Sequence, residues 1–314
     1  MVLSFVSVVI SYVLVLLGMA FFTLLERKGL GYFQIRKGPN KVGLAGLPQP
    51  LADAAKLLTK EMVSPTLINS FPYFFAPVFS LILALLLWQL YPSEFFMTSI
   101  VWGILLFLCI SSLNVYGTLV AGWASNSKYS LLGALRAVAQ TISYEVSLSL
   151  IMLFSLCVSS SFSFFNINLS NEYMWIGMLM LPIGAVWYVS TLAETNRAPF
   201  DFAEGESEIV SGFNIEYSAG GFALIFMAEY TNILFMSMMS ALLFFGGSFL
   251  MYSSDLLMFL KVLLFSFIFV WARATLPRLR YDLLMDLTWK VFLPISLGGL
   301  VFVCGMKFLI ELYV

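Results

Sequence analysis

The chain has 314 residues, 61% of them hydrophobic and only 11% charged, with a net charge of −1. Soluble domains are about half apolar and about a quarter charged, so the composition excludes a soluble globular protein, and the absent basic excess excludes a nucleic-acid-binding one. No histidine occurs, which excludes histidine-ligated metal, bis-histidine haem and histidine acid–base chemistry. Cys109, Cys157 and Cys304 lie apart inside apolar runs without CxxC spacing, so they read as small buried hydrophobes rather than as zinc or iron–sulfur ligands.

Continuous apolar runs of roughly 20 residues predict an all-α, polytopic membrane protein with about eight transmembrane helices. A β-barrel would show short alternating segments instead. The spans fall at about 2–25, 70–91, 99–122, 137–158, 172–193, 218–245, 256–274 and 291–312, in one integral membrane domain. The first run, Val2 to Leu25, is too long for a signal peptide and meets Glu26-Arg27-Lys28 without a cleavage motif, so it reads as a retained span. Abundant Phe (31) and Met (16) fit the U-rich codons of an organelle genome.

The intervening segments then alternate sides, and the bases sort with them. Fourteen of the 16 Lys and Arg residues fall in or at the edge of segments 26–69, 123–136, 194–217 and 275–290. Segments 92–98, 159–171 and 246–255 carry none. The positive-inside rule puts the basic side in the cytoplasm or mitochondrial matrix, with both termini on the other side. Lys261 and Lys307 fall within spans near that other side, where snorkelling to the headgroups is expected.

The first basic segment, LLERKGLGYFQIRKGPNKVG, interleaves Arg27, Lys28, Arg36, Lys37 and Lys41 with glycines and with Tyr32, Phe33 and Ile35. It reads either as a topogenic patch or as the mouth of a pocket where apolar walls meet guanidinium donors. Residues 49–60 place Leu51, Ala54, Ala55 and Leu58 on one face and Asp53, Lys56 and Lys60 on another, as a short helix lying in the interface plane does. Such a helix either braces the membrane surface or lines access for a lipid-soluble ligand.

Glu145 and Glu229 sit within spans and have no opposite charge within helical reach. A lone carboxylate in hydrocarbon is neutral or faces a hydrated cavity, so the choice is between a proton relay and an inert protonated acid. Segment 194–216 concentrates six carboxylates, Glu194, Asp201, Glu204, Glu206, Glu208 and Glu216, against the single base Arg197. If its middle is helical, Asp201, Glu204 and Glu208 share a face. Crowded carboxylates lose their protons as a coupled set, some with raised pKa values. Phe200, Phe202, Ile209, Val210 and Phe213 run through the segment, which argues against a merely solvated acidic face. Arg278, Asp282, Asp286 and Lys290 step by four and predict a charge-compensated helical stripe.

The strings LLERKGLGYFQIRKGPNKVG, LRAVAQTISYEVSLSL, LAETNRAPFDFAEGESEIVSGFNIEYSAGGFALIFMAEY and RATLPRLRYDLLM closely resemble the subunit 1 family of mitochondrial NADH:ubiquinone oxidoreductase, respiratory complex I, over nearly the whole chain. The resemblance implies a mitochondrial inner-membrane subunit where the membrane arm meets the peripheral arm, in contact with subunits of both arms, with ubiquinone and with lipids. It implies that ubiquinone is a substrate and that this chain binds no redox cofactor permanently, NADH, FMN and the iron–sulfur clusters belonging to partners. It maps the ubiquinone cavity onto Arg27, Gln34, Arg36, Ala52, Asp53, Phe222 and Arg273. It maps an acidic proton path onto Glu145, Glu194, Asp201, Glu204, Glu206, Glu208, Glu216 and Glu229. The expected role is to couple quinone reduction to proton translocation. The alternatives are the membrane subunit of a related hydrogenase complex, a proton-coupled secondary transporter and a passive scaffold. A transporter predicts inverted repeats with broken spans in matching positions, and the sequence has no such pair.

Overall fold

Thirty-two residues, Val2–Phe33, form the first helix, α1. It runs past Leu25, where the first span was expected to end, so Glu26, Arg27 and Lys28 stand on the helix and not in a loop. The computed structural model describes residues 2–92, 100–171, 175–205, 211–246, 248–249, 252–253 and 255–313. The next helices are α2 (Gln49–Thr59), α3 (Ser70–Leu87, extended by a 3₁₀ turn at Trp88–Leu90), α4 (Gly103–Ala124) and α5 (Lys128–Ser159). There follow α6 (Phe164–Ser170), α7 (Ile176–Leu179), α8 (Leu181–Glu194), α9 (Ala219–Phe245) and α10 (Asp255–Thr275). The chain closes with α11 (Tyr281–Leu287), a π turn at Thr288–Phe292, and α12 (Leu293–Tyr313). Among the described residues the only strands are β1 (Ser248–Phe249) and β2 (Tyr252–Ser253), a two-residue antiparallel pair.

The protein is therefore an all-helical membrane protein. Among the described residues, seven helices are long and apolar enough to cross a bilayer: α1, α3, α4, α5, α9, α10 and the continuous stretch from α11 through α12. The segment expected at 172–193 differs. It breaks at Met180, whose backbone leaves the helical region (φ −141°, ψ 70°), and α8 restarts with Pro182 in its first turn. Proline is tolerated there because its missing N–H would be unpaired anyway.

α5 and α9 form the centre of the bundle. Half of each one's most apolar stretch is buried, against 6% for the stretch ending in α12. α3 packs between α4 and α9, α5 between α4 and α12, and α9 against α10. The main core holds Phe107, Tyr144, Phe154, Trp187, Phe202 and Phe235, all fully buried. A second, smaller core gathers Tyr73, Ala121, Ala134, Ala137, Ala203, Phe213 and Tyr217 at one end of the bundle. Its alanines let Ala203 and residues 211–217 lie close against α4 and α5, which is what positions the site.

Two lysines within the helices have definite partners. Lys261 on α10 donates to the carbonyls of Phe245 and Gly246, both at 2.8 Å, and so caps α9. Lys307 on α12 donates to the Cys157 carbonyl and to Ser160 Oγ.

Candidate functional site

Glu26 is 4% exposed, although it stands beside Arg27 and Lys28 in sequence. Neighbouring helical residues point apart, and Glu26 turns inward to partners from three other segments. Its Oε1 accepts from Arg197 Nη1 at 2.7 Å and from Arg273 Nη1 at 2.5 Å. Its Oε2 accepts from Tyr230 Oη at 2.6 Å. The Arg197 guanidinium lies 4.4 Å over the Tyr230 ring. Burial alone would push the Arg197 pKa down, but the Glu26 carboxylate and Tyr230 outweigh it and hold it above the usual arginine value. Arg197 was read as the lone base of the acid segment, and its partner is on α1.

This node has two guanidinium groups against one carboxylate, hence a net charge of 2 − 1 = +1. A void of about 10 Å³ beside it, lined by Phe22, Arg197, Ile233, Phe269 and Arg273 among others, is about the size that holds one water. Along α9, Phe222, Phe226 and Tyr230 pack ring to ring in succession, with ring centroids 4.3 and 6.3 Å apart. Phe222 and Arg273, mapped to the quinone cavity, thus stand at the far end of this ladder and in the node. The other mapped residues lie outward. Arg27 Nη1 donates to Asp53 Oδ2 at 2.5 Å, and Gln49 Nε2 to Asp53 Oδ1 at 2.9 Å, which ties α2 to the end of α1. Arg36 pairs with Gln34 at 2.8 Å, and both are exposed, as is Ala52.

The acid segment is held against α5 from its start. Gln140 Nε2 donates to the carbonyls of Ala193 and Phe200, both at 2.9 Å. Residues 202–204 are turn, not helix, so the shared helical face expected for Asp201, Glu204 and Glu208 is not formed by Asp201 and Glu204. They are linked by a turn instead: the Glu204 N–H donates to Asp201 Oδ1 at 3.4 Å. Asn214 Nδ2 donates to Glu204 Oε1 at 3.3 Å. Glu206 and Glu208 lie outside the described residues. Burial raises the Asp201 pKa, with Arg278 acting in opposition. Arg278 precedes α11 and therefore leaves the predicted stripe. It donates to the Asp201 carbonyl and lies 5.5 Å from the Phe202 ring centroid. Within the stripe, Lys290 and Asp286 do pair, at 2.7 Å.

Glu194, at the end of α8, and Glu229, on α9, line the same cavity of about 40 Å³, room for about three waters. Asn114, Thr118, Asn196 and Asn232 also line it. Asn196 Oδ1 and Asn232 Oδ1 are buried acceptors with no protein partner, so the cavity holds polar groups that suit water. Glu145 on α5 accepts from Ser111 Oγ at 3.5 Å and lies within electrostatic reach of Glu194. Glu229 in turn feels Glu204, Arg197 and Asp201. The structure thus groups Glu145, Glu194, Glu229, Glu204 and Asp201 and sets Glu216 aside. The Glu216 backbone carbonyl accepts from Tyr73 Oη at 2.7 Å, and its side chain does not line the cavity. Sequence reasoning missed Glu26 and Asn196. A signal for Glu26 was present: an acid at the end of an apolar run, in a chain whose acids are few.

The family model for NADH dehydrogenase matches residues 6–304. The chain is 56% identical over 308 residues to NADH-ubiquinone oxidoreductase chain 1 of Aedes aegypti, covering 98% of this chain and 97% of that protein. It is 57% identical over 293 residues to the protein of the same name from Anopheles gambiae, covering 93% and 92%. It is 56% identical over 302 residues to that of Heterololigo bleekeri, covering 96% of each. A match of this extent, over a helical bundle with buried carboxylates, places the chain in the NADH dehydrogenase family, among the proteins called NADH-ubiquinone oxidoreductase chain 1.

Proposed function

We propose that this chain is the core membrane subunit of NADH:ubiquinone oxidoreductase that forms part of the ubiquinone cavity and couples quinone reduction to proton translocation. The observation that carries the coupling role is that Glu194 and Glu229 share one cavity, which has room for about three waters, with the unpaired amide oxygens of Asn196 and Asn232. Full-length similarity to proteins called NADH-ubiquinone oxidoreductase chain 1 favours this reading over a hydrogenase subunit or a transporter.

Ubiquinone takes up two electrons, delivered by partner subunits, and two protons on becoming ubiquinol. The Arg27–Asp53 pair holds α2 against α1, where a quinone arriving from the bilayer passes. The node of Glu26, Arg197 and Arg273 offers the excess positive charge that attracts a reduced quinone. A negative charge there alters the field at Glu229, which already feels Arg197. Protons then redistribute among Glu204, Glu229, Glu194 and Glu145 through the hydrated cavity and pass to neighbouring membrane subunits.

The crossing count in this reading is eight, with α7 and α8 together making the crossing that Met180 interrupts. The basic segments face the mitochondrial matrix and both termini the intermembrane space. NADH, FMN and the iron–sulfur clusters are held by partners of the peripheral arm, and lipids cover the outward apolar faces of α10 and α12.

The test is the number of protons pumped per electron pair in reconstituted complexes carrying Glu229→Gln or Glu145→Gln. The expected result is a lowered ratio with the complex still assembled. A normal ratio in both variants overturns the coupling role. Photo-crosslinking of a quinone analogue to residues 26–69, competed by excess quinone, tests the cavity separately.

A further inference from the structure

Cys157 and Cys304 lie far apart in sequence and were read as small buried hydrophobes, but the structure brings them together and leaves Cys304 exposed. Their Sγ atoms are 3.5 Å apart across 147 residues of sequence, one near the end of α5 and the other on α12. Cys304 is exposed and Cys157 half-buried within the chain itself, and hydrogen peroxide, being small and uncharged, reaches thiols on membrane-crossing helices. A disulfide bond is about 2.05 Å long, so the two sulfurs need to close by only about 1.5 Å.

Lys307 completes the arrangement. It follows Cys304 by one helical turn, and its ammonium donates to the Cys157 carbonyl at 3.2 Å and to Ser160 Oγ at 2.6 Å. That contact fixes α12 against the end of α5 and keeps the two thiols opposite one another. Cys109, on α4, is exposed as well but belongs to no such pair.

We propose that Cys157 and Cys304 form a reversible dithiol–disulfide site oxidised by hydrogen peroxide. One thiolate attacks a peroxide oxygen, the O–O bond breaks, and the leaving hydroxide becomes water, which leaves a sulfenic acid. The second sulfur attacks that sulfur, the S–S bond forms, the S–O bond breaks, and the leaving hydroxide takes the second thiol's proton as another water. The pair loses two electrons and two protons, and one peroxide becomes two waters. A thiol such as glutathione reverses the bond by exchange and is itself oxidised to its disulfide. The bond would join α5, the helix that carries Glu145, to α12.

The test uses the intact complex in its own membrane. It is exposed to graded hydrogen peroxide, blocked with N-ethylmaleimide and digested without reductant. The expected result is a peptide pair joining Cys157 to Cys304, two hydrogens lighter than its separate halves, that disappears on incubation with glutathione. Cys109 is the internal control. The proposal is overturned if peroxide oxidises Cys109 while Cys157 and Cys304 remain alkylatable, or if the two are oxidised singly and never joined. In Cys304→Ser, Cys157 should stop at the sulfenic acid and be trapped by dimedone. Lys307→Met should slow joining several-fold, and an unchanged rate removes Lys307 from the site. If Cys304→Ser fails to assemble, the peptide map of the unaltered chain decides the question alone.

Discussion

Glu26 and Arg197 are 171 residues apart in sequence and 2.7 Å apart in space. Their ion pair joins α1 to the segment between α8 and α9, and Arg273 joins α10 to the same carboxylate. Breaking a buried pair by removing one partner leaves an uncompensated charge, which typically costs about 3–5 kcal/mol. Glu26→Gln should therefore lower the amount of assembled complex and its unfolding temperature. The two arginines should rank by burial. The Arg197 side chain is 14% exposed and that of Arg273 42%, so Arg197→Met should destabilise more than Arg273→Met. Equal losses in thermal unfolding would contradict the ranking.

Asn232→Leu removes an unpaired amide oxygen from the Glu194–Glu229 cavity and fills space without touching a carboxylate. A drier cavity should pump fewer protons per electron pair, with quinone binding unaltered. Proton pumping in vesicles, set against inhibitor titration of the quinone site, checks both halves. A normal pumping ratio would show that water in this cavity is dispensable.

The Asp201 pKa is raised by burial above its ordinary value of 3.8, with Arg278 opposing. The folded protein then holds this proton more tightly than the unfolded chain, so stability falls as pH rises from that value through the raised one. Asp201→Asn removes the titration. Unfolding midpoints compared from pH 4 to pH 7 should show the native chain losing ground to the variant as pH rises. A difference that stays constant across this range refutes the assignment.

Gly212 has φ +56°, and an added Cβ would come within 1.7 Å of the Ala203 carbonyl oxygen. On the opposing helix α5, a Cβ on Gly133 would meet the Gly212 backbone at 2.8 Å. Gly212→Ala and Gly133→Ala should each destabilise by several kcal/mol, roughly at the severe end for single substitutions. Gly18→Ala is the control, since nothing lies within 4 Å of its added Cβ and alanine is the better helix former by about 1 kcal/mol. Abundance of the assembled complex should separate the two classes.

The helical membrane class was legible because bilayer thickness fixes the length of an apolar run. Glu145 and Glu229 were legible because a lone carboxylate in such a run has few bland explanations. The node was not, because Glu26 stands next to Arg27 and Lys28 and looks already compensated. Only the three-dimensional fold brings Arg197, Tyr230 and Arg273 to it. Arg278 misled for the opposite reason. A spacing of four suggests a helix stripe, yet the helix begins after Arg278 and its guanidinium serves the acid segment. The nearness of Cys157 and Cys304 depends on how α12 packs along α5, and neither helix encodes that alone.

Gln140 holds both ends of the stretch from Ala193 to Phe200 with one amide group, and Gly133, two turns earlier on α5, is pressed against Gly212. Glu145 lies farther along that same rigid rod. Any displacement of the stretch from Ala193 to Phe200 must therefore either break its bonds to Gln140 or move α5 with it. The linkage makes α5 a lever arm, with its short end under the acid segment and its long end reaching past Glu145 into the membrane.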